Sequence, residues 1–107
     1  MKIKMPLIVV LLAFLMFQTK LNAQDIATTL CESYVPAIGQ IASSMRSAGA
    51  PISMAENHIY KMNIKDSRMR VFLKGLVGEM YREPEKTSQL IQSGDAVKRC
   101  VAATRGY

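Results

Sequence analysis

The sequence predicts a small all-α domain of about four helices, three to five at the limits, whose first and last helices are stapled by one disulfide. Three observations predict it. Met69, Phe72, Leu73, Leu76, Val77 and Met80 recur at helical spacing and form one wide apolar stripe that other helices must cover. No stretch alternates apolar and polar residues long enough to make a strand, because the β-branched residues are scattered. Finally, the chain carries two cysteines, Cys31 and Cys100, near the two ends of a segment that reads as exported.

Export is read from residues 1–23. Lys2 and Lys4 precede an apolar run from Leu7 to Phe17, and the segment closes on Leu21, Asn22 and Ala23. A basic start, an apolar middle and a small residue before the cut make a secretory signal peptide, so cleavage is expected after Ala23. The apolar run is short of the roughly 20 residues that a mature spanning helix needs, which places an uncleaved anchor second. No cysteine follows the run directly, which argues against a lipid-anchored precursor. Contact with a membrane is therefore expected only through the leader before its removal. The mature chain is then periplasmic or secreted.

Removing the leader changes the charge that matters. The whole chain has 14 Lys and Arg against 8 Asp and Glu. The leader takes Lys2, Lys4 and Lys20 and no acid, which leaves a net charge of about +3. That is well short of a nucleic-acid-binding footprint, and no nucleic acid is expected as partner. Residues 24–107 make one domain of a size that commonly needs a staple. A Cys31–Cys100 bridge is the one intramolecular pairing open to two cysteines. An intermolecular bridge and two reactive thiols are the competing readings.

The first helix is expected from Asp25 to Ala48, with Ala27, Leu30, Cys31, Tyr34, Ile38, Ile41, Ala42 and Met45 on its inner face. Gly49 and Pro51 stop it. Pro36 lies within the pattern and either kinks the helix, which is the preferred reading, or splits it in two. Ser53 and Glu56 have the spacing of a capping box, so the second helix is expected from Met54 to about Met62. Asp66 or Ser67 caps the third helix, which carries the apolar stripe and two interior glycines, Gly75 and Gly78. Those glycines suggest a neighbouring helix packed closely against them, or else a flexible or ligand-facing backbone. Pro84 ends this helix, Thr87 to Gln92 reads as a short helical turn, and Ser93 caps a last helix from Gly94 to about Thr104. Its inner face is Ala96, Val97, Cys100, Val101 and Thr104, and Gly106 stops it.

The order Cys31, then Met45-Arg46 with Gly49 and Ile52, then Val77, Met80, Tyr81 and Pro84, then Cys100 resembles a broad group of small bacterial exported helical proteins of unknown function. These carry Arg-x-x-Gly, Tyr-x-x-Pro and a closing cysteine in that order. The resemblance implies an all-helical, disulfide-bonded fold in a bacterial envelope and brings no catalytic residues. A second, fainter one rests on Pro84-Glu85 before a helix ending in Cys100. It is similar to periplasmic immunity proteins that block secreted peptidoglycan-degrading toxins.

The chemistry open to the residues is narrow. His58 is the single histidine, and the candidate carboxylates Glu32, Glu56, Glu79 and Glu83 are dispersed without a local signature, so no enzyme and no cofactor are expected. Lys61, Lys65, Arg68, Arg70 and Lys74 form the densest basic segment, with Tyr60 and Tyr81 nearby as candidate interface anchors. Arg46 is placed to cap the C-terminus of the first helix. The expected function is a non-catalytic interaction module, an inhibitor or immunity-like partner of another exported or envelope protein. The alternative is copper handling by Met54, His58 and Met62, which lie at i, i+4 and i+8 and supply soft ligands for Cu(I).

Overall fold

A computed structural model describes residues 23–105, with side chains from Ile26 onward. The expected leader lies outside the described residues apart from Ala23, and so does the stop at Gly106. Five helices and no strand occur among the described residues: α1 Ala23–Ser47, α2 Ile52–Lys61, α3 Ser67–Arg82, α4 Pro84–Gln92 and α5 Asp95–Thr104. None is long and apolar enough to cross a membrane.

The stripe on α3 does what its spacing requires. Met69, Leu73, Leu76, Val77 and Met80 are buried and Phe72 is half-buried, and α3 packs against each of the other four helices. The long α1 supplies the second wall with Cys31, Val35, Ile38 and Ala42. Val35, which the expected inner face omitted, is fully buried, whereas Leu30, which it included, is 37% exposed. Ala27, Cys31, Ile38 and Ala42 of the expected face are buried, and Tyr34, Ile41 and Met45 lie half-buried at its edge.

Pro36 does not split α1, which runs unbroken for 25 residues. The proline is exposed, so the carbonyl of Glu32 that lacks an amide partner sits on the solvent side, where water can serve it. The helix ends in a Schellman motif. Gly49 takes a φ of 81°, its amide donates to the Arg46 carbonyl (3.0 Å) and the Ala50 amide to Met45 (2.9 Å).

The capping box at Ser53 does not form. Pro51, in extended geometry, holds the N-cap position, its carbonyl accepts from Met54 (3.0 Å), and Ser53 falls inside the first turn of α2 with no capping bond. A proline just before the helix provides the extended dihedrals an N-cap needs, and this outweighs the serine two residues later. At the other end of α2, Asn63 adopts a φ of 57°, and Ile64 then tucks back into the core.

Asp66 caps α3 as expected: its Oδ1 accepts from the amides of Arg68 (2.8 Å) and Met69 (3.4 Å). After Arg82 the chain turns at Glu83 and α4 starts at once, with Pro84 at its first position. The short turn expected over Thr87–Gln92 is thus a nine-residue helix, with Thr87 buried. Ser93 accepts the Asp95 amide (3.3 Å), Gly94 occupies the N-cap with a φ of 88°, and α5 buries Ala96, Cys100, Val101 and Thr104.

Cys31 and Cys100 are bonded, with Cα atoms 5.8 Å apart, and join α1 to α5 across 69 positions of sequence. Both are fully buried. Met69 Sδ lies 3.6 Å from Cys100 Sγ, and the Thr104 hydroxyl lies 3.7 Å from Cys31 Sγ while donating to the Cys100 carbonyl (2.8 Å).

Candidate functional site

The core face of α3 leaves an outer face on which Ser67, Val71, Lys74, Gly75 and Gly78 stand at helical spacing. Val71 is an apolar residue on this otherwise polar side and is 71% exposed. Grooves run along both flanks of the ridge it stands on. Toward α2 lies one lined by Glu56, Tyr60, Arg70, Val71 and Lys74, of about 180 Å³. Toward α4 and α5 lies another of about 150 Å³, lined by Val71, Phe72, Gly75, Glu79, Leu90 and Arg99.

Neither interior glycine of α3 is there for close packing. An added Cβ at Gly75 would meet nothing within 4 Å, and one at Gly78 would meet only the end of Arg82, at 3.4 Å. The glycine that a neighbour does crowd is Gly39 on α1, where a Cβ would stand 2.5 Å from Ile91 Cδ1 on α4. Of the two sequence readings of Gly75, close helix packing is overturned, and a backbone open to the outside is what remains.

The basic segment divides on inspection of each partner. Arg68 pairs with the Asp66 carboxylate at 3.4 Å across the helix start. Burial pushes the Asp66 carboxyl up, but the amides of Arg68 and Met69 and the Arg68 guanidinium outweigh that and hold it below its ordinary value of 3.8. Arg70 is engaged internally, its guanidinium donating to the carbonyls of Ile64 and Lys65 (3.1 Å to the latter) at the turn between α2 and α3. Lys74 lies over the Tyr60 ring, 6.0 Å from its centre, and Tyr60 is 61% exposed. Lys61 and Lys65 are exposed beside them.

Tyr81 belongs elsewhere. Its hydroxyl donates to the Ala50 carbonyl (2.9 Å), while Arg46 Nε donates to the Tyr81 carbonyl (3.0 Å). The two residues therefore clasp the turn between α1 and α2 to the last turn of α3. Arg46 does meet a helix C-terminus, where a cation is favoured, but it is that of α3 rather than its own.

Met54, His58 and Met62 have three different surroundings. Met54 is 49% exposed, Met62 packs against the core, and His58 lines a groove against α1 with Ala37, Gln40, Ile41, Ser44 and Met45. Among the described residues no three His, Cys, Asp or Glu side chains converge as a metal-holding group. The four carboxylates are likewise apart. Glu56 and Glu79 line grooves on different flanks of α3, Glu83 faces Lys86 at 3.9 Å, and Glu32 is exposed on α1.

What the sequence reading missed is Val71 and Arg99. The signal was present, since Val71 is the one large apolar residue off the stripe of α3; Arg99 comes to this face only through the packing of α5 on α3. No protein-family model, no curated protein and no solved structure matches the chain.

Proposed function

We propose that the protein is a non-catalytic binding module of the exported space, which docks an acidic partner protein on the outer face of α3. The observation that carries this is Val71, the most exposed large apolar side chain among the described residues, standing between two grooves with Tyr60 beside it and cations around it. Lys61, Lys65, Arg68, Arg70, Lys74 and Arg99 outnumber Glu56, Asp66 and Glu79 on and around this face. An apolar centre with a cationic rim is the usual anatomy of a docking patch, and its charge would steer an acidic surface. The exposed backbone at Gly75 lets a partner approach closely. The resemblance to immunity proteins makes an inhibitor of another exported protein the form to test first.

The test is capture from the organism's envelope and secreted fractions on immobilised mature, oxidised protein, run in parallel with a Val71→Asp/Lys74→Glu variant. The expected result is one stoichiometric acidic protein, eluted by salt and absent from the variant column. Retention of the same proteins on both columns would remove this face from the function.

A further inference from the structure

Three sulfur atoms from three different helices meet inside the core. Cys31 of α1 and Cys100 of α5 are fully buried, and Met69, at the start of the stripe on α3, is 1% exposed with its Sδ 3.6 Å from Cys100 Sγ. While the bridge is closed, the methionine is a packing residue beside it. With the bridge open, the same place holds two thiols and a thioether. Bridges form only after export, so an exported chain passes through its dithiol state. Return to that state takes a reductant of the dithiol class, which passes two electrons and two protons to the bridge and itself becomes a disulfide.

We propose that the dithiol form binds one Cu(I) ion in the core, through the Cys31 and Cys100 thiolates and the Met69 thioether. The spacing suits it. A metal–sulfur bond of about 2.3 Å sets the sulfurs of a trigonal site about 4 Å apart. The Cα atoms of the two cysteines, 5.8 Å apart, keep the freed sulfurs neighbours, and Met69 already stands 3.6 Å from one of them. The donor set selects the ion. It is all sulfur, which soft Cu(I) favours. Among the described residues no third Cys, His, Asp or Glu stands with the two cysteines, so the four-donor set of a closed zinc site is missing. On binding, each thiol gives its proton to solvent and copper stays Cu(I), so no further electron moves. The bridged form has no free thiol among the described residues and is closed to the metal. This site shares no residue with Met54, His58 and Met62. It is also independent of the outer face of α3, since Met69 lies on the buried side of that helix.

The test takes residues 24–107, reduced with a dithiol and desalted without oxygen, and titrates them with Cu(I) against the chelator bicinchoninate. Met69→Leu and His58→Ala variants and the oxidised protein are titrated beside them. Leucine keeps most of the volume of methionine and removes the sulfur, and circular dichroism checks each fold. The reduced wild type is expected to bind one equivalent with three sulfurs around copper by X-ray absorption, and the oxidised protein none. Met69→Leu should bind at least about tenfold more weakly, a loss that even an outer-shell partner can cause, and His58→Ala should bind as the wild type does. Should reduction unfold the chain, Cu(I) is expected to refold it, because the ion binds the assembled site. Equal affinity in the wild type and Met69→Leu overturns the proposal, as does binding that His58→Ala abolishes. A reduced chain that takes up no copper, or stays unfolded with copper bound, overturns it too.

Discussion

Replacing Gly75 by alanine tests a position of α3 where the packing of the folded chain does not call for glycine. The position is interior to a 16-residue helix, has no positive φ, and an added Cβ meets nothing within 4 Å. No packing gain and no steric cost enter, so the change reduces to the intrinsic helix preference of alanine over glycine, about 1 kcal/mol. For a domain of this size that is a rise of about 4–8 °C in Tm. Urea and thermal unfolding of residues 24–107 in the oxidised form, followed by circular dichroism, measure it. Gly78→Ala should gain about as much, because a Cβ there meets only the end of Arg82, at 3.4 Å. A loss of stability in Gly75→Ala would refute the reasoning, since it would mean that the outer face of α3 is occupied within the folded chain. A stabilised variant that also binds its captured partner less tightly is the combination expected if the glycine serves docking.

The other expectations concern what holds the helices together. Cys31→Ala/Cys100→Ala opens a loop of 69 positions and should cost about 4 kcal/mol, seen as a Tm lower by roughly 20 °C; a loss under about 1 kcal/mol would show that packing alone fixes α5. Tyr81→Phe and Arg46→Ala should each lower stability by about 1 kcal/mol, and the double variant by less than the sum, since both bonds fasten the same turn to the same helix end. Strict additivity would separate the two contacts. Asp66→Ala should cost about 1 kcal/mol at neutral pH through the lost cap. Because the folded-state pKa of Asp66 is depressed, its share of stability is present above the ordinary value of 3.8 and disappears as pH falls through the lower folded value. Wild type and variant should therefore converge in Tm in acid; a constant gap down to the lowest pH at which both fold would assign the effect to something other than the carboxylate.

What the sequence disclosed followed from local periodicity. The stripe of α3 and the inner face of α5 were legible because their apolar residues recur every three or four positions, and the cap at Asp66 because it acts within three residues. Pro84 was read by its backward effect, which ends α3, and its forward effect as the first residue of α4 was missed. Ser53 shows a local signal displaced by a stronger one, Pro51, two residues away. The clasp between Arg46 and Tyr81 joins residues 35 positions apart, and no periodicity points to such a pair. For the same reason Tyr81 looked like a surface anchor, and Arg70 like part of a free patch, until their partners were in view.

The ties at the two ends of α2 have a consequence for how the chain can change. Both come from α3: Tyr81 holds the carbonyl of Ala50 ahead of α2, and Arg70 holds those of Ile64 and Lys65 behind it. The two donors are 11 residues apart on α3, about 16 Å along its axis, which is close to the roughly 15 Å length of α2. α3 thus works as a gauge for the helix beside it. Inserting or deleting one residue in α2 would shift one tie by 1.5 Å and about 100° and take Ala55 or Ile59 off the core. Point substitutions on the exposed side of α2 carry no such penalty. Descendants of this chain should therefore vary in the residues of α2 while keeping its length.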